Sequence, residues 1–240
     1  MPSKFNYMIS HLYTMAEATL EQVILLSDCF EAGDQKIARS IIDRDDELDR
    51  LEKEIDNLSQ NAILEAVASR GISEPMAGRL MREDPLIFAL SAIRFSRFFE
   101  RMGDQVVNCA RAYLTGSLTT DYYREDTKLN LLLSRVITSV GMSVESLIEQ
   151  KEKFFGSIHS IEKEIDSLSA ELFDEICDWR SFTHRQLLDY YRMILALERI
   201  GDISVNITEE LIRLATGQDI RHMDFEARGS VFRYNEIVLP

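Results

Sequence analysis

From Asn6 to Phe30 the apolar side chains Met8, Leu12, Met15, Ala16, Leu20 and Val23 recur at intervals that line one face of an α-helix. Gly33-Asp34 closes that segment. A second stripe starts near Asp34 and runs to about Ser69, with Ile41, Leu48, Leu51, Ile55, Leu58 and Ala62 on one face and Asp45, Asp49, Glu52 and Asp56 beside it. It predicts an unusually long second helix. Residues Arg70 to Asp84 contain Gly71, Pro75 and Gly78, stop before Pro85, and read as a loop. A third helix is predicted from Pro85 to Leu114, followed by a small, polar connection at Gly116 to Thr120.

The same plan then returns, with helices predicted from about Arg124 to Glu149, Phe155 to Cys177 and His184 to Thr216, the last stopped by Gly217. The wording returns as well. Phe99-Glu100-Arg101-Met102-Gly103-Asp104 reappears 98 positions later as Leu197-Glu198-Arg199-Ile200-Gly201-Asp202, and Leu51-Glu52-Lys53-Glu54-Ile55-Asp56 reappears 110 positions later as Ile161-Glu162-Lys163-Glu164-Ile165-Asp166. The difference between the offsets is the extra loop after Arg70. The fold class expected is therefore all-α, a tandem duplication of an antiparallel three-helix bundle with six long helices. Residues 1–118 form the first bundle, 119–217 the second, and 218–240 a tail whose Val231, Phe232, Tyr234, Ile237 and Val238 could dock on it.

Composition adds exclusions. Hydrophobic residues at 45% and charged residues at 28% are ordinary for a globular protein, and four prolines leave little for a turn-rich β architecture. A formal charge of −14 repels nucleic acid and anionic lipid, so no nucleic-acid partner is expected. The surplus attracts cations and basic surfaces, or simply keeps the chain soluble. Cys29, Cys109 and Cys177 are far apart and in no Cys-x-x-Cys spacing, which fits a reducing cytoplasm rather than a disulfide or zinc framework. The N-terminus lacks an apolar leader core, and no stretch is expected to approach the roughly 20 apolar residues of a bilayer span.

Both repeated phrases reduce to Glu-[Lys/Arg]-x-x-Asp, giving the pairs Glu52/Asp56, Glu100/Asp104, Glu162/Asp166 and Glu198/Asp202. Carboxylates at i and i+4 share a helix face about 5–6 Å apart, and their repulsion is on the order of 3 kcal/mol at an effective dielectric of about 20. In one reading this is a solvated acidic face, each Asp being offset by the basic residue three positions earlier: Lys53, Arg101, Lys163 or Arg199. That explains the Asp better than the Glu, because only Glu100 has an intrahelical basic neighbour, Arg97, and Glu162 has only His159. In the other reading an external hard cation such as iron(III), manganese, magnesium or calcium balances the oxygens. Glu100 and Asp104 lie well over about 90° from the stripe of Phe95, Phe99, Met102 and Val106, and so face solvent, whereas Glu52 and Asp56 flank their stripe. A metal could bridge the two helices if those edges meet. Gly103 and Gly201 imply a close helix approach or room for an ion, and Asn108 and Asn206 a cross-helix hydrogen bond or an amide ligand. The four histidines form no Glu-x-x-His pattern, no Gly-rich phosphate loop is present, and no enzyme activity is expected.

Leu197–Asp202, Val205–Glu210 and Thr216–His222, together with Phe99–Asn108 and Asp45, Leu48, Leu51-Glu52 and Ile55-Asp56, resemble the signature of the PhoU family of phosphate-transport regulators. The resemblance implies paired three-helix bundles and surface metal clusters, with iron foremost and manganese, zinc, magnesium or calcium as alternatives. Its ligands would be Glu52, Asp56, Glu100 and Asp104 in the first half and Glu162, Asp166, Glu198 and Asp202 in the second, with Asp45, Asp49, His159, Asn108 and Asn206 as further candidates. It also implies a cytoplasmic negative regulator of phosphate uptake that contacts the ATPase subunit of a phosphate ABC transporter and a sensor histidine kinase. Such a protein would be peripheral to the inner membrane face through its partners, with a homodimer as an open option. Three departures stand out: Pro85-Leu86-Ile87 and Thr183-His184-Arg185 replace the usual Asp-Leu-Arg, Phe155 and His159 occupy the positions of Asp45 and Asp49, and Gln105 and Ile203 replace a usual His. They predict a leaner second site. A metal-storage or redox protein and a permease accessory adaptor without metal are the competing classes.

Overall fold

The first apolar stripe folds as α1 (Lys4–Ala32), ended by Gly33 at φ 69°, whose N–H donates to the Cys29 carbonyl at 3.0 Å. The computed structural model describes residues 4–70, 85–116, 120–149, 154–179 and 182–217. The loop expected after Arg70 and the tail after Gly217 lie outside them. Asp34 caps the next element by accepting from the Lys36 N–H at 2.8 Å.

The long second helix differs from expectation, because it is two pieces, α2 (Gln35–Asp43) and α3 (Asp45–Arg70), with a break at Arg44. Asp45, Asp46 and Glu47 fill the first turn of α3, where the positive end of the helix dipole favours acids and a new helix can start. Next come α4 (Pro85–Leu114), a short α5 (Thr120–Glu125) that starts at the last residue of the expected connection and was not expected as a separate helix, α6 (Thr127–Glu149), α7 (Phe155–Cys177) and α8 (His184–Thr216). Thr183 and Gln186 form a reciprocal capping box on α8, and Gly217 at φ 76° ends it.

In the first half α1, α3 and α4 pack together, and α6, α7 and α8 repeat the arrangement. The halves are not independent. α4 lies along α8 and α1 against α6, so one hydrophobic core runs through both, from Met15 and Phe99 to Leu132 and Ile200. The connection helps to seal it: Tyr123 stacks on Phe30 with centroids 5.1 Å apart, while Tyr122 meets Trp179, Phe182 and Tyr190 edge-on. The three cysteines are unpaired.

One expectation needs correction. α6 is long and apolar enough, by length and composition, to cross a membrane. Half of its apolar window is buried within the protein, with Leu129, Leu132, Leu133, Val136 and Val140 facing the core between α1, α7 and α8. That is the pattern of a core helix.

Gly103 and Gly201 mark the close approaches that set the sites. A Cβ on Gly103 would stand 2.5 Å from Leu48 Cδ1, and one on Gly201 would stand 2.9 Å from Ile165 Cδ1. A side chain at either position would have to displace the Leu48 or Ile165 side chain packed there, so the glycines let α3 lie close on α4 and α7 on α8.

Candidate metal centre

Beside the Gly103 contact, the acidic edge of α4 meets the acidic edge of α3. Asp104 is exposed, as the angular position predicts, but Glu100, expected to face solvent with it, is half-buried because α3 covers that edge of α4. Burial, then Asp104, Glu52, Asp49 and Asp45 in that order, push the Glu100 carboxyl up from 4.5 to about 7. Asp45 is also raised, by burial and then by Asp104 and Asp49 against the opposing charge of Arg111. Glu52 is raised by burial and Asp56, with Arg97 opposing. Asp45, Asp49, Glu52 and Asp56 of α3 thus join Glu100 and Asp104 of α4 in one field.

Basic neighbours offset this only in part. Lys53 pairs with Asp49 at 3.6 Å, the residue one turn before it, rather than serving Asp56. Asp56 Oδ1 is buried and has no hydrogen-bond partner. A buried carboxylate oxygen without a partner is costly, and a cation is one way to satisfy it.

The second patch is smaller. Asp166 of α7 comes beside Glu198 and Asp202 of α8: Glu198 is raised by burial, Asp202 and Asp166, and Asp202 by burial and Asp166, with Arg199 opposing in both cases. Glu162 is drawn off by His159, whose Nδ1 lies 2.9 Å from Glu162 Oε2 and whose ring stacks on Phe155. Phe155 and His159 stand where the first half has Asp45 and Asp49, so two of the missing oxygens are replaced by an apolar ring and an imidazole.

The donors are hard oxygens at the surface of a helix seam, which suit a hard cation. Among the described residues, however, no three His, Cys, Asp or Glu side chains stand close enough together to hold one ion without rotating. Asn108 is exposed on α4 and lines a separate cleft toward α8, while Asn206 is half-buried on α8.

The sequence reading missed the charged groups buried between the halves. Asp189 is 1% exposed and Glu210 5%, each held by arginines. The signal was available, since Arg94 and Arg192 are themselves 98 positions apart.

The PhoU domain family matches residues 12–113 and again residues 129–211. A phosphate-specific transport system accessory protein PhoU homolog of Clostridium acetobutylicum is 26% identical over 88% of this chain and 92% of its own length. One from Xylella fastidiosa is 23% identical over 90% and 85%. Among solved structures, the phosphate transport system regulatory protein PhoU from Streptococcus pneumoniae superposes with a TM-score of 0.72 at 19% identity, covering 90% of this chain and 96% of that one. PhoU from Pseudomonas aeruginosa gives 0.71 at 20%, covering 90% and 98%. Family matches to both helical halves, each half carrying its own acidic seam, place the chain in the PhoU family, with the PhoU domain present twice.

Proposed function

We propose that this protein is a cytoplasmic negative regulator of phosphate uptake and phosphate-responsive signalling. It acts as an adaptor between the ATPase subunit of a phosphate ABC transporter and a sensor histidine kinase. The observation that carries this reading is the duplicated PhoU fold, aligned over most of its length with proteins named as accessory to phosphate-specific transport. Its work is binding, at the membrane's inner face through protein partners.

Metal completes the proposal. Glu52, Asp56, Glu100 and Asp104 would hold a cation on the first seam, and Asp166, Glu198 and Asp202 a second, with Glu162 joining if His159 releases it. The bound ion would supply positive charge and bridge two helices. Glu100 and Glu198 contribute carboxylates already biased toward accepting positive charge, and the Gly103 and Gly201 contacts fix the spacing of the helices that carry them.

Deleting the gene in the native organism is expected to leave phosphate uptake and phosphate-responsive expression elevated when phosphate is plentiful. Uptake and expression unchanged from the parent would contradict the proposal. One observation favours a second version, an adaptor without metal: no three acids are grouped to hold an ion as they stand. A purified protein free of transition metal, with partner binding intact in Glu100→Ala and Glu198→Ala, would select that version.

A further inference from the structure

α4 and α8 are the matched helices of the duplication, and they pack so that equivalent positions meet at both ends of their contact. At one end Ser91 and Arg94 of α4 face Glu210 and Arg213 of α8. Arg94 reaches both oxygens of Glu210, at 3.2 and 3.1 Å, while Arg213 binds the same carboxylate and donates to Ser91 Oγ at 3.0 Å. That end is closed by charge and by contact.

At the other end the equivalents, 98 positions away in each case, are Asp189 and Arg192 of α8 and Ala112 and Thr115 of α4. Alanine now stands where Glu210 stood, so Arg192 has lost the cross-helix carboxylate that Arg94 possesses. Among the described residues the one acid lining this end is Asp189, 1% exposed, which accepts from Arg185 at 2.9 Å and from Thr115 Oγ1 at 3.0 Å, with Arg192 3.7 Å away. A cleft of about 470 Å³ opens here. Four arginines line it, Arg111, Arg185, Arg192 and Arg199, against that one carboxylate. Among the described residues, neither Arg111 nor Arg199 closes an ion pair within 4 Å.

We infer that this open end is a binding site for a small phosphate-bearing anion, lodged between the two halves. The volume is that of a small-molecule site rather than of a protein groove. Arg111 and Arg199 also act on the acids of the two seams, yet four arginines against one lining carboxylate still leave a positive cleft in a chain of net charge −14, which suits a multivalent anion better than a monocarboxylate. Guanidinium forks pair with phosphate oxygens two at a time, and the Asn108 amide adds a neutral donor at the rim. Because the walls come from α4 and α8, an occupant would tie the halves together as Glu210 does at the closed end. The inference stands apart from the phosphate-transport proposal, since it rests on the broken symmetry of one helix pair.

Isothermal titration of the metal-stripped full chain at low ionic strength, with inorganic phosphate, ATP and sulfate in separate arms, tests it. The expected result is saturable binding of phosphate or ATP with one site per chain. Tighter phosphate identifies the free ion as the source, and tighter ATP a nucleotide. Ala112→Glu, which rebuilds the closed-end carboxylate, and Arg192→Gln should each weaken binding by at least about tenfold. Circular dichroism checks that each variant folds, and if one does not, the other decides. No saturable binding, sulfate bound as tightly as both phosphate species, or unchanged affinity in the folded variants would overturn the inference.

Discussion

Glu100→Gln is expected to make the metal-free protein more stable at pH 8 and a poorer cation binder. With its carboxyl pushed up to about 7 by burial and four neighbouring acids, native Glu100 keeps a proton that the unfolded chain has already released above 4.5. The native state therefore binds more protons in that window, and the contribution of Glu100 to stability falls as pH rises from about 4.5 through 7. Glutamine removes the charge. After allowance for solvent screening the gain at pH 8 is about 1–2 kcal/mol, a rise in Tm of about 3–6 °C, and it should vanish only as pH falls below about 4, where the Glu100 carboxyl is neutral in the folded and the unfolded chain alike. Thermal melts of the two chelated proteins at the two pH values check the sign, and an equal difference at both would show that Glu100 is not under charge stress. In the same variant the affinity for manganese at the first seam should drop at least about 10–100-fold, the loss found when even outer partners of a metal are removed.

Glu210→Ala should destabilise the protein by about 3 kcal/mol, lowering Tm by about 6–12 °C. Glu210 is 5% exposed and is the carboxylate shared by Arg94 from the other half and Arg213 from its own helix. Its removal leaves two guanidinium groups facing each other across the α4–α8 contact, with Arg213 largely out of water. The double variant Glu210→Ala/Arg213→Met should recover part of the loss, because an apolar side chain needs no countercharge there. A single-variant Tm within 1 °C of the parent would mean that the closed end does not hold the halves together.

The helices were legible because an apolar stripe reports which face of a helix is buried, and the turns after α1, α4 and α8 each carry a glycine with positive φ. The break at Arg44 was not legible, since Ile41 and Leu48 keep one stripe running through it. Nor does a stripe say which helix covers it. The packing of α4 on α8 was hidden for that reason, and because its two ends are lined by charged residues that read as exposed. Among the acids, the pairing within each helix followed from spacing alone. Their convergence across α3 and α4 depended on the Gly103 approach, which sequence could raise only as one of two explanations. The loss of Glu162 to His159 was foreshadowed by their three-residue spacing, and the weaker second seam follows from it.

Anomalous X-ray diffraction from crystals grown with manganese tests most directly whether the matched acids are cation sites. The strongest peak should fall between α3 and α4, within coordination distance of carboxylate oxygens from Glu52 or Asp56 and from Glu100 or Asp104, with a weaker one near Asp166, Glu198 and Asp202. A fully substituted crystal with no peak at either seam, or with peaks only elsewhere, would contradict that assignment and leave the two patches as solvated acidic faces.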